Sequence, residues 1–100
     1  QVSFLSTIKK LGKKNNNYLT FPENGYTLTM DIKNNSKMKN VFRNLEKFLI
    51  KIDSKVYLTK DSIMSKNYFY KTYTNLNMFK KNLNKYNKFS SLQSERLKIK

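Results

Sequence analysis

The sequence predicts an α+β fold in which antiparallel strands come first, an amphipathic helix packs on them and short helices follow. Two observations support this class. Up to residue 31, apolar and polar residues alternate in stretches, as is typical of strands with one buried face. Beyond residue 36, apolar residues recur every three or four positions, as is typical of helices. The predicted order is β, β, α, β, α, α.

Two strands and a turn are predicted in the first third of the chain. Residues 2–11 are rich in β-branched and aromatic side chains, as strands are. A loop rich in Lys and Asn follows at 12–17, and the Pro-Glu-Asn-Gly sequence at 22–25 marks a turn. Residues 26–31 then alternate strictly, so this strand has one polar and one apolar face. The polar face carries Thr27, Thr29 and Asp31, and the apolar face carries Tyr26, Leu28 and Met30.

The clearest helical pattern covers residues 37–52. Apolar residues form a stripe along one side of this helix, and the opposite side is mostly Lys, Arg and Asn and is suited to face water. We therefore expect the apolar stripe to pack on the sheet that contains residues 26–31. Ser36 is the expected N-cap. The stripe consists of Met38, Val41, Phe42, Leu45, Phe48, Leu49 and Ile52.

A third strand and two short helices are predicted after a break at Asp53-Ser54. Residues 56–59 have the pattern of a half-buried strand that ends on a charged pair, Lys60-Asp61. Residues 62–73 and 75–83 have helical spacing. Their predicted buried side consists of Phe69, Tyr70, Tyr73, Leu76 and Phe79.

Composition excludes several kinds of site. The chain has no Cys and no His, so it offers no disulfide, no common zinc ligands and no Ser-His or Cys-His catalytic pair, and we expect no bound metal. No apolar run approaches the length of about 20 residues that spans a membrane. Residues 1–10 lack the charged start and long apolar stretch of a signal peptide. A cytoplasmic protein with no membrane span is therefore expected.

The net charge of +15 leaves a second function open, a small basic module that binds nucleic acid or another anion. The aromatic residues between Tyr68 and Phe89 suit base stacking as well as a core. Against this reading, the Lys residues are dispersed and the only arginines are Arg43 and Arg96, whereas base recognition favours Arg. Joint enrichment in Lys and Asn also suits codon drift in an AT-rich genome. We therefore expect no specific nucleic-acid binding.

Three phrases of the sequence, taken in order, resemble a known family. They are LTFPENGYTLTMDI (19–32), KVYLTKDSIMS (55–65) and FSSLQSERLKI (89–99). They resemble the C-terminal part of FAD-linked oxidoreductases of the vanillyl-alcohol oxidase superfamily, closest to the branch of decaprenylphosphoryl-ribose oxidase and the sugar-lactone oxidases. The family has Gly-Gly where this chain has Asp53-Ser54, and an acid where it has Leu92. The matching residues are Leu19-Thr20-Phe21-Pro22, Gly25-Tyr26, Leu28, Asp31, Tyr57, Lys60-Asp61, Phe89, Ser91, Arg96 and Leu97.

The resemblance implies that the chain is the C-terminal part of a larger two-domain flavoprotein. Residues 1–55 would end the substrate (cap) domain, and residues 56–100 would be the C-terminal return segment of the FAD-binding domain. FAD would be held mainly by an upstream glycine-rich segment, since this chain has only Gly12 and Gly25. The implied activity is oxidation of a sugar-type alcohol by hydride transfer to flavin. The partner of the chain would be the remainder of the parent polypeptide, and the 100 residues alone would be inactive.

The resemblance also implies four site residues. Lys60 would be catalytic and, with Tyr57, would contact the cofactor, while Thr27 and Thr29 would contact the substrate. The alternative for Lys60 is a solvated lysine at a strand end. Residues three apart lie on opposite faces of a regular strand, so Tyr57 and Lys60 can share a pocket only if the chain bends near Thr59.

Overall fold

A computed structural model describes residues 3–85 and 88–99, so Val2 and Tyr86 lie outside the described residues. The described part contains a two-stranded antiparallel sheet and four α-helices, which confirms the α+β class. The elements are β1 (Ser3–Lys10), β2 (Tyr26–Ile32), α1 (Ser36–Lys51), a 3₁₀ turn (Leu58–Lys60), α2 (Lys66–Thr72), α3 (Leu76–Lys85) and α4 (Leu92–Arg96).

β1 and β2 form a hairpin in which β2 has one polar and one apolar face. Thr7 lies opposite Thr29 and Ile8 lies opposite Leu28, but Leu5 lies opposite Asp31, Ser6 opposite Met30 and Lys10 opposite Tyr26, so β1 is mixed in polarity on both faces. The register shifts between Ser3 and Leu5, which inserts one extra residue in β1. The apolar side chains on the face of Leu28 are 41–73% exposed, so no described residue covers them as a core would. We call this the bare hairpin face; its apolar residues are Ile8, Tyr26, Leu28 and Met30.

The long helix α1 packs differently from the sequence-based expectation. The pattern predicts that its stripe covers the strand at 26–31, but Leu49 and Ile50 instead pack against the core formed by the C-terminal helices. Glu46 explains the difference, because its carboxylate accepts hydrogen bonds from the backbone N and the Oγ of Ser65, just before α2. α1 is thereby fixed to α2 rather than laid across the hairpin.

Both ends of α1 are closed by local hydrogen bonds. Asn35, not Ser36, is the N-cap, and its side chain accepts from the backbone N–H of Met38 at 3.0 Å. At the other end Asp53 adopts a left-handed conformation with φ of 51°. Its N–H bonds to the carbonyl of Ile50, and the next N–H bonds to that of Leu49, which is the Schellman arrangement. The chain therefore reverses sharply into the segment that follows.

The core lies in the C-terminal half. Phe69 and Leu97 are fully buried at its centre, so the tail after α4 packs directly on α2. Of the predicted buried side, Tyr70 stays at the surface and Phe79 is partly buried. None of the helices in the described part of the chain is long and apolar enough to cross a lipid bilayer. The buried apolar residues are Met64, Tyr68, Phe69, Tyr73, Leu76, Leu97 and Ile99.

Candidate functional site

The segment before Lys60 is extended but is not a strand. The sequence pattern predicts a strand at 56–59, and this prediction is wrong, because residues 54–57 pair with no described strand and Leu58–Lys60 form a 3₁₀ turn. An extended chain without a ladder needs other partners for its backbone. Side chains from the C-terminal helices provide them.

Three side-chain donors bind alternate carbonyls of this segment. The Tyr68 hydroxyl donates to the carbonyl of Ser54 at 2.6 Å, and the Tyr73 hydroxyl donates to that of Val56 at 2.7 Å. The Gln93 amide donates to the carbonyl of Leu58 at 2.6 Å. Residues two apart present their carbonyls on one side of an extended chain. We call Tyr68, Tyr73 and Gln93 the anchor residues, and together they replace a neighbouring strand.

The turn Leu58–Lys60, called here the Lys60 turn, bends the chain directly after the last anchored carbonyl. The N–H of Lys60 donates to the carbonyl of Tyr57 at 3.1 Å, and the N–H of Asp61 donates to that of Leu58 at 3.3 Å. Residues three apart eclipse one another in a 3₁₀ helix, whereas they point to opposite faces in a strand. The chain thus bends where a pocket shared by Tyr57 and Lys60 would require it.

Asp61 ties the Lys60 turn to the tail of the chain. Its Oδ1 accepts from the backbone N–H groups of Ile63 and Met64, at 3.0 and 2.7 Å. Its Oδ2 accepts from the Arg96 guanidinium at 2.7 Å, and the Asp61 side chain is only 2% exposed. Arg96 also donates to the carbonyl of Met64 at 2.5 Å. Asp61 is therefore fully engaged in holding structure and is not free for chemistry.

Lys60 differs from the neighbouring lysine of the extended segment. It is exposed, and within residues 3–85 and 88–99 its ammonium has no hydrogen bond, ion pair or ring contact. Lys55 instead donates to Glu23 at 2.5 Å and lies over the Tyr73 ring. The hydrogen bond from Lys55 is the main cause that lowers the pKa of Glu23. Lys60 thus carries a positive charge that the described chain leaves unneutralised.

Tyr57 directly precedes the Lys60 turn as its N-cap and contacts an earlier part of the chain. Its ring is 4.9 Å from that of Phe21, centroid to centroid, with the planes tilted by 36°. Tyr57 is 44% exposed, so one part of the residue is packed and another stays accessible. An exposed aromatic ring and an unpaired ammonium can together contact a flat, polar ligand.

Thr27 and Thr29 belong to a different part of the fold. They lie on the polar face of β2, opposite Lys9 and Thr7 of β1. In the described part of the chain no hydrogen bond joins either threonine to the Lys60 turn. A shallow depression of about 450 Å³, lined by residues 16–19 and Phe79, includes none of the four predicted site residues. Tyr57 and Lys60 therefore lie three residues apart at one turn of the chain, whereas the two threonines lie in the hairpin.

Several residues that build the site carry no local signal in the sequence. Of the anchor residues, only Tyr73 belongs to the predicted buried side, and spacing does not indicate the direction of its hydroxyl. Glu46 is buried and binds Ser65 and Arg43, although it belongs to the helix side that composition suggests is solvated. The one readable signal is Asp61 followed by Ser65, since an acid before a short polar run favours a local turn and Ser favours an N-cap.

The comparisons with known proteins identify no relative. No protein-family model matches the chain, and no curated protein matches it significantly. Among the residues that the structure describes, no three His, Cys, Asp or Glu side chains cluster as a metal site would require.

Proposed function

We propose that the chain is the C-terminal part of a cytoplasmic FAD-dependent oxidoreductase that oxidises a sugar-type alcohol by hydride transfer to flavin. Residues 1–55 would complete the substrate domain and residues 56–100 would complete the FAD domain. The observation that carries the proposal is the Lys60 turn, whose exposed lysine has no partner among the described residues and follows a backbone segment held by the buried side chains of Tyr68 and Tyr73.

Contacts between the three family-like phrases support the proposal. Phe21 of the first phrase packs on Tyr57 of the second. Asp61 of the second phrase pairs with Arg96 of the third, 35 positions later. Each of these contacts joins two of the phrases in space. Their contacts support the view that the phrases are parts of one structural unit.

In this proposal the residues of the Lys60 turn would contact part of a flavin and not the whole of it. Bound FAD would supply the hydride acceptor. Lys60 and Tyr57 would contact its ring system, since an ammonium stabilises negative charge on a neighbouring group and its N–H groups can orient a sugar hydroxyl. The pyrophosphate needs a glycine-rich loop before a helix, and the chain has only Gly12 and Gly25. The phosphates would therefore be bound by another part of the parent polypeptide.

The bare hairpin face supports the placement of residues 1–55 in a larger domain. A two-stranded hairpin alone is at best marginally stable in water, and this hairpin exposes its apolar face. The remainder of the parent polypeptide would extend and cover the sheet. Thr27 and Thr29, on the opposite face, would then be turned toward a bound substrate.

The decisive experiment replaces Lys60 in the intact parent enzyme. We expect Lys60→Ala to lower turnover by about 10²–10³-fold, the scale of one preorganised electrostatic donor, while FAD stays bound. Lys60→Arg should restore activity only in part, because a planar guanidinium does not reproduce a compact ammonium. Lys81→Ala, which removes an exposed lysine of α3, is the matched control for charge. Near-normal turnover in Lys60→Ala would return this lysine to the solvated surface and refute the assignment.

A basic module that binds nucleic acid or another anion is the second candidate, and one observation favours it. Three of the six acidic residues, Glu23, Glu46 and Asp61, are consumed in ion pairs within the chain. The surface is therefore even more uniformly positive than the composition indicates. Such a surface attracts phosphate without reading sequence.

A further inference from the structure

The backbone that carries Lys60 has an unusual source of rigidity. It has no partner strand among the described residues, and its alternate carbonyls at Ser54, Val56 and Leu58 are bound by the anchor residues. We propose that Tyr68, Tyr73 and Gln93 are positioning residues for Lys60. The catalytic half of this inference rests on the proposed function, and the structural half does not.

The two tyrosines are suited to hold a backbone in place. Their rings are almost fully buried in the core, and Tyr73 packs on Phe69 with ring centroids 5.1 Å apart. A ring fixed by packing directs its hydroxyl to one place. Burial raises the pKa of Tyr68 to about 12 and also raises that of Tyr73, so both hydroxyls stay protonated and can donate at physiological pH. The donors are therefore permanent as well as fixed in position.

The three donors bind successive alternate carbonyls of the segment that leads into the turn. Tyr68 lies in α2, Tyr73 directly follows α2, and Gln93 lies in α4. Side chains from two helices therefore bind one extended segment. The last anchored carbonyl, that of Leu58, also accepts the N–H of Asp61 that closes the turn. Loss of Tyr68 or Tyr73 removes the hydrogen bond to the carbonyl of Ser54 or Val56, and loss of Gln93 leaves the carbonyl of Leu58 with the N–H of Asp61 alone. The turn should then sample more than one conformation.

The first experiment measures the rigidity of the Lys60 turn in the 100-residue chain, without flavin. Backbone ¹⁵N relaxation should give an order parameter near 0.85 at Lys60 in the unmodified chain, falling toward about 0.6 in Tyr73→Phe and in Gln93→Met. Tyr70→Phe is the matched control, because that hydroxyl donates to the carbonyl of Lys98 and not to this segment. Unchanged order parameters at residues 58–61 in both anchor variants, with α2 intact, would overturn the proposal.

The second experiment separates positioning from general stability in the intact parent enzyme. Tyr73→Phe should lower kcat by about 3- to 10-fold, the scale of one net hydrogen bond. The same substitution in a Lys60→Ala background should cause no further loss, because the residue acts through Lys60. Equal losses in both backgrounds would overturn the positioning role. If Lys60→Ala proves fully active, the proposed function fails, and the order parameters alone decide whether the anchors fix the turn.

Discussion

The ion pair between Asp61 and Arg96 offers the sharpest test of how the Lys60 turn is held. The Arg96 guanidinium donates to the Asp61 carboxylate at 2.7 Å and to the carbonyl of Met64 at 2.5 Å. We consider Arg96→Met, which keeps an unbranched apolar side chain and removes the positive charge. Asp61 would remain buried with its negative charge paired only by two backbone N–H groups.

The expected loss in the free energy of unfolding depends on how deeply each of the two side chains is buried. Removing one partner of a fully buried ion pair costs about 3–5 kcal/mol. The Arg96 side chain is 30% exposed whereas that of Asp61 is 2% exposed, so water can partly replace the guanidinium. We therefore expect a loss of about 2–4 kcal/mol. For a chain of this size that corresponds to a fall in Tm of about 10–25 °C.

Urea unfolding followed by far-UV circular dichroism measures this loss, since the chain has no Trp to report by fluorescence. Asp61→Asn and the double variant complete a cycle that isolates the coupling of the two side chains. Lys14→Met is the matched control, because the pair of Lys14 with Glu23 is 55% and 40% exposed and should contribute less than about 1 kcal/mol. A midpoint for Arg96→Met that equals that of the unmodified chain would refute the idea that this pair fastens the tail to the turn.

Three further outcomes are expected. Phe69→Ala, at a residue that is 0% exposed, should cost about 3–5 kcal/mol in urea unfolding, whereas Phe4→Ala, at a residue of β1 that is 76% exposed, should change stability by less than about 0.5 kcal/mol; equal effects would place the core elsewhere. Burial, with the Glu46 carboxylate nearby, raises the pKa of Tyr68 to about 12, so its stabilising effect is complete below the unfolded pKa of about 10 and is lost as pH rises through about 12. Over that pH range the urea midpoint of Tyr68→Phe should accordingly fall less steeply than that of the unmodified chain. Parallel curves of midpoint against pH for the two proteins would contradict this. Duplex DNA should bind weakly, with dissociation constants of about 10⁻⁴–10⁻⁶ M near physiological salt, and nanomolar, sequence-specific binding in a salt titration would favour the second candidate function.

The elements that the sequence predicts well are those whose signals are local. The alternation at 26–31 and the three-to-four spacing at 37–52 report a periodic backbone directly, and both elements are found within one residue of those limits. The N-cap moved by one position because Asn35 and Ser36 are both good caps, and the entry angle of the chain decides between them. Pattern alone identifies which side of an element is apolar. It does not identify what covers that side, so the packing of α1 was not predictable.

In the candidate site too, features with a local signal are predictable from the sequence and distant contacts are not. Residues three apart lie on opposite faces of a strand, so a pocket shared by Tyr57 and Lys60 requires a bend near Thr59. The 3₁₀ turn Leu58–Lys60 provides such a bend. The extended segment before it has the side-chain pattern of a strand, and only distant hydrogen bonds from Tyr68 and Tyr73 show why it needs no neighbour. Such contacts depend on where a buried ring points, which spacing does not encode.

The bare hairpin face has a practical consequence for the isolated chain. Both strands of the hairpin are edges, and its apolar face is open to a second molecule. The net charge of +15 keeps copies apart at low ionic strength, where electrostatic repulsion reaches about 30 Å in 0.01 M salt but only about 3 Å in 1 M salt. Elution from a cation exchanger with concentrated salt would thus remove the repulsion at the moment when the protein is most concentrated. Colloidal stability of this chain should fall, rather than rise, as salt is added.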